Sequence, residues 1–477
     1  MTDTISTSKS LIVGGYLMKT SSILIALVCL WLSSPLKSDI EEPLWLIPTI
    51  YAMCTLTMSN RDMQSPGIIT LKTIMFFRYA LTPLTIYLQN NYLSHTYTYQ
   101  FMNEAIYLML YEMLAVVVTV KWTERKFMED ISHAKNVKIF EYNSNKLIFL
   151  IIATIIIFII IKNPNFLQGF SLITTGESNL REEDIEDVSG ITTTIWQAGV
   201  TWLYIYTCME CKKKGTRFEV VISISLAFLL VSFLGQSRIS RWYTIMSFAG
   251  IAAMLVKLYP QKKRAITLGI AIPLTVVIVI LSIYKNTNYL KEDEEMVDNM
   301  NELFGQSTMQ SYFSGPVSVN NAIGMKEDEA IGLECLPYDL MNNMPIILHY
   351  IDRDKSTVNL YNHYIGRTRL ATGGDLVIPL CGQSAIYFGY LLTPLLSIFC
   401  ILIIRYTDKR YKIENNPLIF LYAFIAAWTA VCMMMLNLTV YSSWYYSRII
   451  PLALLLTATE NRLWKNVMKN ESEKQNI

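Results

Sequence analysis

Arginine is the residue type that best equips this chain for chemistry. A guanidinium group stays charged at physiological pH and can donate two parallel hydrogen bonds to a phosphate or carboxylate. Arg238 and Arg241 directly follow the apolar run 220–234, and in a helix their spacing would place them on one face. We expect them to bind an anion, with anionic lipid headgroups or loop carboxylates as the alternative partners. Four more arginines belong to the same set by the topology described below: Arg353, Arg367, Arg369 and Arg448.

Two ionisable residues lie inside apolar runs. Arg78 is near the middle of one run and Glu112 lies at a similar depth in the next. An ionised residue at the centre of a membrane helix costs about 2.5 to 3.5 kcal/mol unless it is paired or hydrated. We therefore predict either a buried ion pair that fixes the helix register, or an Arg78 that reaches an anionic ligand while Glu112 holds it.

The elements that must position these residues are membrane helices. The chain has 477 residues, is 52% hydrophobic and only 16% charged, and has a mean hydropathy of +0.33. Its apolar residues form blocks of about 20 residues, the length that spans a bilayer. We predict an all-α, polytopic membrane protein with about twelve spans. Their expected limits are 10–34, 43–59, 67–88, 99–120, 146–162, 190–208, 218–236, 241–258, 265–284, 384–404, 417–438 and 442–459.

Orientation follows from the distribution of lysine and arginine between the loops. Basic clusters occur at 121–146, 212–217, 262–264 and 405–412, and even numbers of spans separate them. The intervening segment 180–188 is acidic instead. The pattern predicts that the basic loops and both termini are cytoplasmic and that the arginine set faces outward.

A long outer segment interrupts the series of short loops. Residues 285–382 contain no apolar run of membrane length but many aromatic residues, with glycine and proline. This composition favours a folded segment with short helices over a disordered linker. The chain thus divides into a first membrane region over residues 1–284, the outer segment 285–382, and a second membrane region with a cytoplasmic tail over residues 383–477. We expect the outer segment to be functional, with a structural cap as the alternative, and Cys335 and Cys381 are candidates for a disulfide.

Five short motifs are spread over most of the chain. They are Phe77-Arg78-Tyr79-Ala80-Leu81-Thr82-Pro83-Leu84, Leu110-Tyr111-Glu112, Gly235-Gln236-Ser237-Arg238, Tyr312-Phe313-Ser314-Gly315-Pro316 and Gly382-Gln383-Ser384-Ala385-Ile386-Tyr387-Phe388-Gly389-Tyr390. Each motif is degenerate, and their order, the number of spans and one late outer segment make the combination more specific. Together they resemble the Wzy-type polymerases of oligosaccharide repeat units, which build bacterial O-antigens and capsules.

The resemblance implies an inverting, metal-independent glycosyltransferase at the outer face of the bacterial inner membrane. Donor and acceptor would be oligosaccharides linked to undecaprenyl pyrophosphate, and a chain-length regulator is a candidate partner. Preorganised arginines would stabilise the departing pyrophosphate: Arg78, Arg238, Arg241, Arg367, Arg369 and Arg448, with Glu112 and Tyr312 in support. No cofactor, metal or nucleic acid is expected.

An attacking hydroxyl group needs a general base. The candidates in the outer segment are His363, His349, Asp375, Asp339 and Glu334. His363 is preferred because arginines lie close to it in sequence, although a surface histidine without a catalytic role fits the same pattern.

Two other function classes stay open. An O-antigen ligase would have a similar architecture and similar arginines. A transporter or flippase of lipid-linked oligosaccharides would also suit about twelve spans with an intramembrane Arg and Glu. We find no inverted repeat in the sequence and no pair of broken spans at matching positions, which favours the enzyme.

Overall fold

The computed structural model describes residues 2–34, 38–59, 65–92, 99–133, 146–162, 190–234, 241–270, 272, 309–310, 312–341, 344, 351–365 and 377–459. All regular secondary structure in these ranges is helical. The α-helices are α1 Thr2–Leu32, α2 Leu46–Thr57, α3 Pro66–Phe76, α4 Thr82–Gln89, α5 Met102–His133, α6 Lys146–Lys162, α7 Gly190–Lys213, α8 Phe218–Leu234, α9 Arg241–Leu258, α10 Pro316–Glu329, α11 Leu336–Met341, α12 Thr357–Tyr364, α13 Leu380–Phe388, α14 Leu395–Ile413, α15 Leu418–Met435, α16 Leu438–Trp444 and α17 Ile450–Thr459.

Within the described residues, three helical segments are long and apolar enough to cross a membrane: Gly14–Leu32, Met102–Phe127 and Leu418–Met435. Shorter apolar helices cover Leu46–Thr57, Phe218–Leu229 and Ile245–Leu258. Such helices indicate a membrane protein, as the composition predicted. The total of about twelve spans, the inner membrane location and the orientation of the termini stay predictions.

The continuous span expected over 384–404 is wrong. Helix α13 ends at Phe388, and Gly389 follows with φ +77°, a left-handed conformation that glycine adopts without steric cost. A turn leads to Leu395, where α14 begins and continues to Ile413. The apolar run therefore contains a break that its hydropathy does not indicate.

The chain forms two compact units. The first contains residues 1–133, 277–412 and 425–443, and the second contains 134–276, 413–424 and 444–477. In the second unit, α7 packs against α6, α8 and α17. The division into residues 1–284, 285–382 and 383–477 concerns which segments lie in the membrane and which lie outside it. It stays a prediction.

In the first unit, α3 packs very closely against α14 and α15. A Cβ atom added to Gly67 would lie 2.6 Å from Ile404 Cγ2 and 2.9 Å from Ala426 Cβ. The first turn of α3 is capped by Asp408, whose carboxylate accepts hydrogen bonds from the N–H groups of Gly67 (2.9 Å) and Ile68 (3.2 Å). A carboxylate at a helix N-terminus satisfies free N–H groups and complements the helix dipole.

The described portion of the outer segment is folded into short helices, as expected. Residues 316–325 of α10 are all buried, although they include Asn320 and Asn321. Helix α10 packs against α5, α12 and α13. A Cβ atom on Gly382 would approach Ala322 Cβ to 2.6 Å, so α10 and α13 are in close contact. Helix α10 of the outer segment is therefore incorporated into the core of the first unit.

Candidate functional site

Arg78 and Glu112 form a fully buried ion pair in the first unit. Arg78 Nη2 lies 3.1 Å from Glu112 Oε2, and neither side chain is exposed. Ser397 Oγ donates to Glu112 Oε1 at 2.7 Å, and Tyr79 OH donates to Oε2 at 3.3 Å. We call Arg78, Tyr79, Glu112 and Ser397 the Arg78 cluster. The prediction that Arg78 and Glu112 form a buried ion pair is confirmed.

Arg78 lies in a π-helical turn, Phe77–Leu81, which joins α3 to α4. Its backbone signature is the hydrogen bond from the N–H of Thr82 to the carbonyl of Phe77, five residues earlier. Single π turns inside helices are frequent at functional sites. The three consecutive side chains Arg78, Tyr79 and Ala80 are all buried here, and two of them reach Glu112.

The other polar contacts of the Arg78 guanidinium group are to sulfur atoms, and the group also lies 5.2 Å from the centroid of the Tyr79 ring. Nη2 lies 3.2 Å from Cys381 Sγ, and Nη1 lies 3.4 Å from Met434 Sδ. Nε has no hydrogen-bond partner among the described residues. Because sulfur is a weak acceptor, Glu112 provides most of the compensation for this buried charge. Whether Arg78 also binds an anionic ligand stays a prediction.

The motif that opens the outer segment lies directly on this π turn. The ring of Phe313 stacks on that of Phe77, with centroids 4.9 Å apart. A Cβ atom on Gly315 would come within 3.1 Å of Thr82 Cγ2. Ser314, with φ +48°, donates from its hydroxyl to the carbonyl of Met435. Tyr312, which was predicted to support pyrophosphate binding, directly precedes Phe313 and is half-buried.

Three of the five motifs that carry the resemblance thus meet at the Arg78 cluster, and a fourth begins beside it. The motif at 77–84 carries Arg78, the motif at 110–112 carries Glu112, and the motif at 312–316 packs on the π turn. The motif at 382–390 belongs to α13, whose Cys381 contacts Arg78. The motif at 235–238 lies outside the described residues.

Asp339 organises a second polar cluster in the first unit, and it is fully buried. Its carboxylate accepts hydrogen bonds from Thr439 Oγ1 (2.8 Å), from the Thr357 N–H (3.1 Å) and from Tyr387 OH. Gln383 adds two more links, donating to Thr357 Oγ1 at 2.6 Å and accepting from the Leu438 N–H at 2.7 Å. We call these residues the Asp339 cluster. It joins α11, α12, α13 and α16.

Burial raises the pKa of Asp339, and the hydrogen bonds from Tyr387, Thr439 and Thr357 oppose that rise. Asp339 was one of the candidate bases, and its acceptor sites are occupied by these donors. Its observed role is to connect helices that are far apart in sequence. Sequence reasoning singled out Gln383 and Tyr387 only as members of the motif at 382–390, without a role for either. It missed Thr357 and Thr439, whose only signal was their polarity within or near apolar helices.

His363, the preferred base, lies in α12 and is exposed. Burial raises the pKa of Glu329 at the end of α10, and the charge of His363 opposes that rise. In the next position, Tyr364 OH donates to Asp328 at 2.9 Å. Glu334, another candidate, accepts from the Gly332 N–H in its own loop.

Most of the predicted pyrophosphate ligands and two candidate bases cannot be placed beside these clusters. Arg241 begins α9, but its side chain lies outside the described portion of the structure. The residues wholly outside the described ranges are Arg238, Arg367, Arg369, His349 and Asp375. Their roles stay predictions. The candidate disulfide is not formed, since Cys335 and Cys381 are both free thiols.

Arg448 belongs to the second unit and also lies in a π turn, Tyr445–Ile449. Its guanidinium carbon lies 4.0 Å from the centroid of the Trp444 ring. It lines a cavity of about 20 Å³ together with the polar residues Gln197, Thr201 and Ser247. That volume is enough for about one water molecule. Arg78 and Arg448 thus both lie in π turns.

The fold and these clusters define an all-helical membrane protein with an ionised pair buried in its first unit. No protein-family model, curated protein or solved structure matches the chain. Functional assignment therefore depends on the residues themselves and on the resemblance of their motifs.

Proposed function

We propose that this protein polymerises oligosaccharide repeat units linked to undecaprenyl pyrophosphate, at the periplasmic face of a bacterial inner membrane. The observation that supports the proposal best is the meeting of three motifs around the Arg78 cluster, with a fourth that begins directly after Cys381. These motifs were chosen for their resemblance to Wzy-type polymerases, and they come from positions between 77 and 390 in the sequence. Residues that act together in one family of enzymes are expected to lie together in the fold.

The proposed reaction transfers a glycan from one lipid to another. A hydroxyl oxygen of the acceptor repeat unit forms a bond to the anomeric carbon of the donor glycan. The bond from that carbon to the pyrophosphate oxygen breaks, and its electron pair leaves with the pyrophosphate. The hydroxyl proton passes to a general base, for which His363 stays the preferred candidate, with His349 and Asp375 as the others.

Two kinds of arginine have different roles in this proposal. Arg78 is neutralised by Glu112, its π turn packs on the motif at 312–316, and it contacts Cys381, which directly precedes the motif at 382–390. We therefore assign it first to positioning these motifs. The arginines proposed to contact the departing pyrophosphate are Arg238, Arg241, Arg367, Arg369 and Arg448. Their charge would stabilise the negative charge that develops as the bond breaks.

The decisive experiment is deletion of the gene followed by separation of the surface glycans by length. Loss of the polymer ladder, with a single repeat unit still attached to the lipid, is the expected result for a polymerase. Accumulation of unattached polymer would contradict the proposal and indicate a ligase. Accumulation of lipid-linked repeat units on the cytoplasmic side would contradict it in favour of a flippase. Restoration of the ladder by the full-length gene is the control.

A further inference from the structure

Helices α5 and α14 of the first unit lie side by side and are joined at two levels. At one level, Tyr111 OH donates to the carbonyl of Leu391, just before α14, at 2.9 Å. At the other, Arg405 Nη2 donates to the carbonyl of Val120 at 2.9 Å, and Arg405 Nε donates to Thr123 Oγ1 at 3.2 Å. At about 1.5 Å per helical residue, the two levels are roughly 14 Å apart along α5. The helices therefore form a continuous shared surface.

That surface is apolar and exposed on both helices. The exposed fractions of its side chains range from 42% at Leu402 to 74% at Trp122. The residues recur every three or four positions, as expected for one face of each helix. They are Tyr107, Tyr111, Leu114, Val118 and Trp122 on α5, and Leu395, Phe399, Leu402 and Tyr406 on α14. In a membrane protein, such a face contacts the acyl chains of lipids.

The apolar face ends at a basic cavity of about 370 Å³. Its lining consists of Trp122, Thr123, Lys126 and Phe127 from α5, and Leu402, Arg405, Tyr406 and Lys409 from α14. Three of these eight described residues are cations, and none of the eight is a carboxylate. We call this the basic cavity. Its volume falls within the range of small-ligand sites.

Arg405 is held in place within the basic cavity. It is 5% exposed, its hydrogen bonds to Val120 and Thr123 fix its guanidinium group, and that group lies 5.0 Å from the centroid of the Phe127 ring. A cation fixed in advance loses little freedom when an anion binds. Lys126 is exposed and Lys409 is half-buried, so a fixed charge and two longer side chains line the cavity.

Two nearby carboxylates have partners outside the cavity. Asp408 caps α3 through the N–H groups of Gly67 and Ile68, and its charge also interacts with that of Arg405. Glu129 pairs with Arg125 at 3.0 Å on an exposed surface. Exposed Trp and Tyr together with Lys and Arg are typical of the membrane interface, where headgroups lie. Trp122 and Tyr406 occupy that position between the apolar face and the cations.

We propose that the basic cavity binds the phosphate of an anionic membrane lipid, whose acyl chains lie along the apolar face of α5 and α14. A soluble phosphate ester would offer the same charge, but it would leave the adjoining apolar face without a ligand. The predicted topology places this lipid in the cytoplasmic leaflet. The proposal is independent of the proposed function, which concerns the opposite face of the membrane.

Native mass spectrometry of the full-length protein in detergent tests the proposal, with phosphatidylglycerol, diacylglycerol and inorganic phosphate as probes. Phosphatidylglycerol is expected to remain bound, and diacylglycerol, which lacks the phosphate, is expected to bind less. A cation near an anionic surface contributes about a fivefold factor in affinity. The double variant Lys126→Gln with Lys409→Gln should therefore bind phosphatidylglycerol about 30-fold more weakly.

The matched control is Lys213→Gln with Lys262→Gln, which removes the same charge from two exposed lysines of the predicted cytoplasmic loops. Its affinity for phosphatidylglycerol should equal that of the wild type. Equal affinities in the two double variants would overturn the proposal. Displacement of the lipid by millimolar inorganic phosphate would overturn the choice of a lipid. A change from dimer to monomer in the cavity variant, with lipid binding unchanged, would overturn it in favour of a second copy that covers this face.

Discussion

Removing one partner of the Arg78–Glu112 pair should destabilise the protein far more than removing both. In the single variant Glu112→Gln, the guanidinium group loses the negative charge 3.1 Å away and keeps only neutral neighbours, among them Cys381 and Met434. In Arg78→Met, the carboxylate keeps its donors Ser397 and Tyr79 but loses its counter-charge. Breaking a fully buried pair in this way costs about 3 to 5 kcal/mol.

The double variant Arg78→Met with Glu112→Gln leaves no buried charge at this position. Replacing both members of a buried pair by neutral residues is often close to neutral in stability. If each single change costs about 4 kcal/mol, independent sites would lose about 8 kcal/mol together. We expect a loss of about 2 kcal/mol instead, so the coupling energy would be about 6 kcal/mol.

Reversible unfolding of the purified protein in mixed micelles measures these free energies. Additive losses, with a coupling energy below about 0.5 kcal/mol, would refute the reasoning, because contacting residues couple more strongly than this. The polymer ladder of the same variants then separates two roles of Arg78. A double variant that folds and restores the ladder indicates positioning alone, whereas one that folds without a ladder indicates that Arg78 binds the anionic substrate.

Three further predictions concern other positions. Replacing Arg238 or Arg241 by alanine should abolish chain growth without affecting membrane insertion, and polymer of wild-type length in both variants would contradict their role as phosphate ligands. Because burial raises the pKa of Asp339, the folded state binds its proton more tightly than the unfolded chain. This contribution to stability is full below about pH 4 and is lost as the pH rises through the folded pKa. The free energy of unfolding should therefore fall over that range in the wild type, and Asp339→Asn should reduce the dependence. Gly67→Ala should lower the free energy of unfolding by about 1 to 3 kcal/mol because its Cβ has no room, whereas Gly14→Ala, with nothing within 4 Å, should not.

Hydropathy located helices well where charged residues limit the apolar run. The span expected at 146–162 coincides with α6, because lysines stand at both ends of that run. The span expected at 384–404 was wrong, because hydropathy does not register the left-handed conformation of Gly389 or the turn that follows it. The backbone conformation of one glycine therefore explains why a continuous span was wrongly predicted at 384–404.

The Arg78 cluster and the Asp339 cluster also differ in how far the sequence predicts them. Arg78 and Glu112 could be paired from the sequence because a charge in an apolar run needs a partner at its own depth. The Asp339 cluster could not, because Asp339 lies in a polar segment where a carboxylate needs no explanation. Its partners Thr357, Tyr387 and Thr439 come from three different helices. Only the packing of those helices brings them together.

The Arg78–Glu112 pair has a consequence for how the chain is made. Glu112 follows Arg78 by 34 residues, whereas Cys381 follows it by 303. At a synthesis rate of about 5 to 20 residues per second, the carboxylate is made within about 2 to 7 seconds of Arg78 and the thiol only after about 15 to 60 seconds. The nascent hairpin can therefore neutralise its own arginine in the translocation machinery long before the later helices exist. Truncated chains ending soon after residue 133 should already retain Arg78 in the bilayer, and the same chains with Glu112→Gln should do so less well.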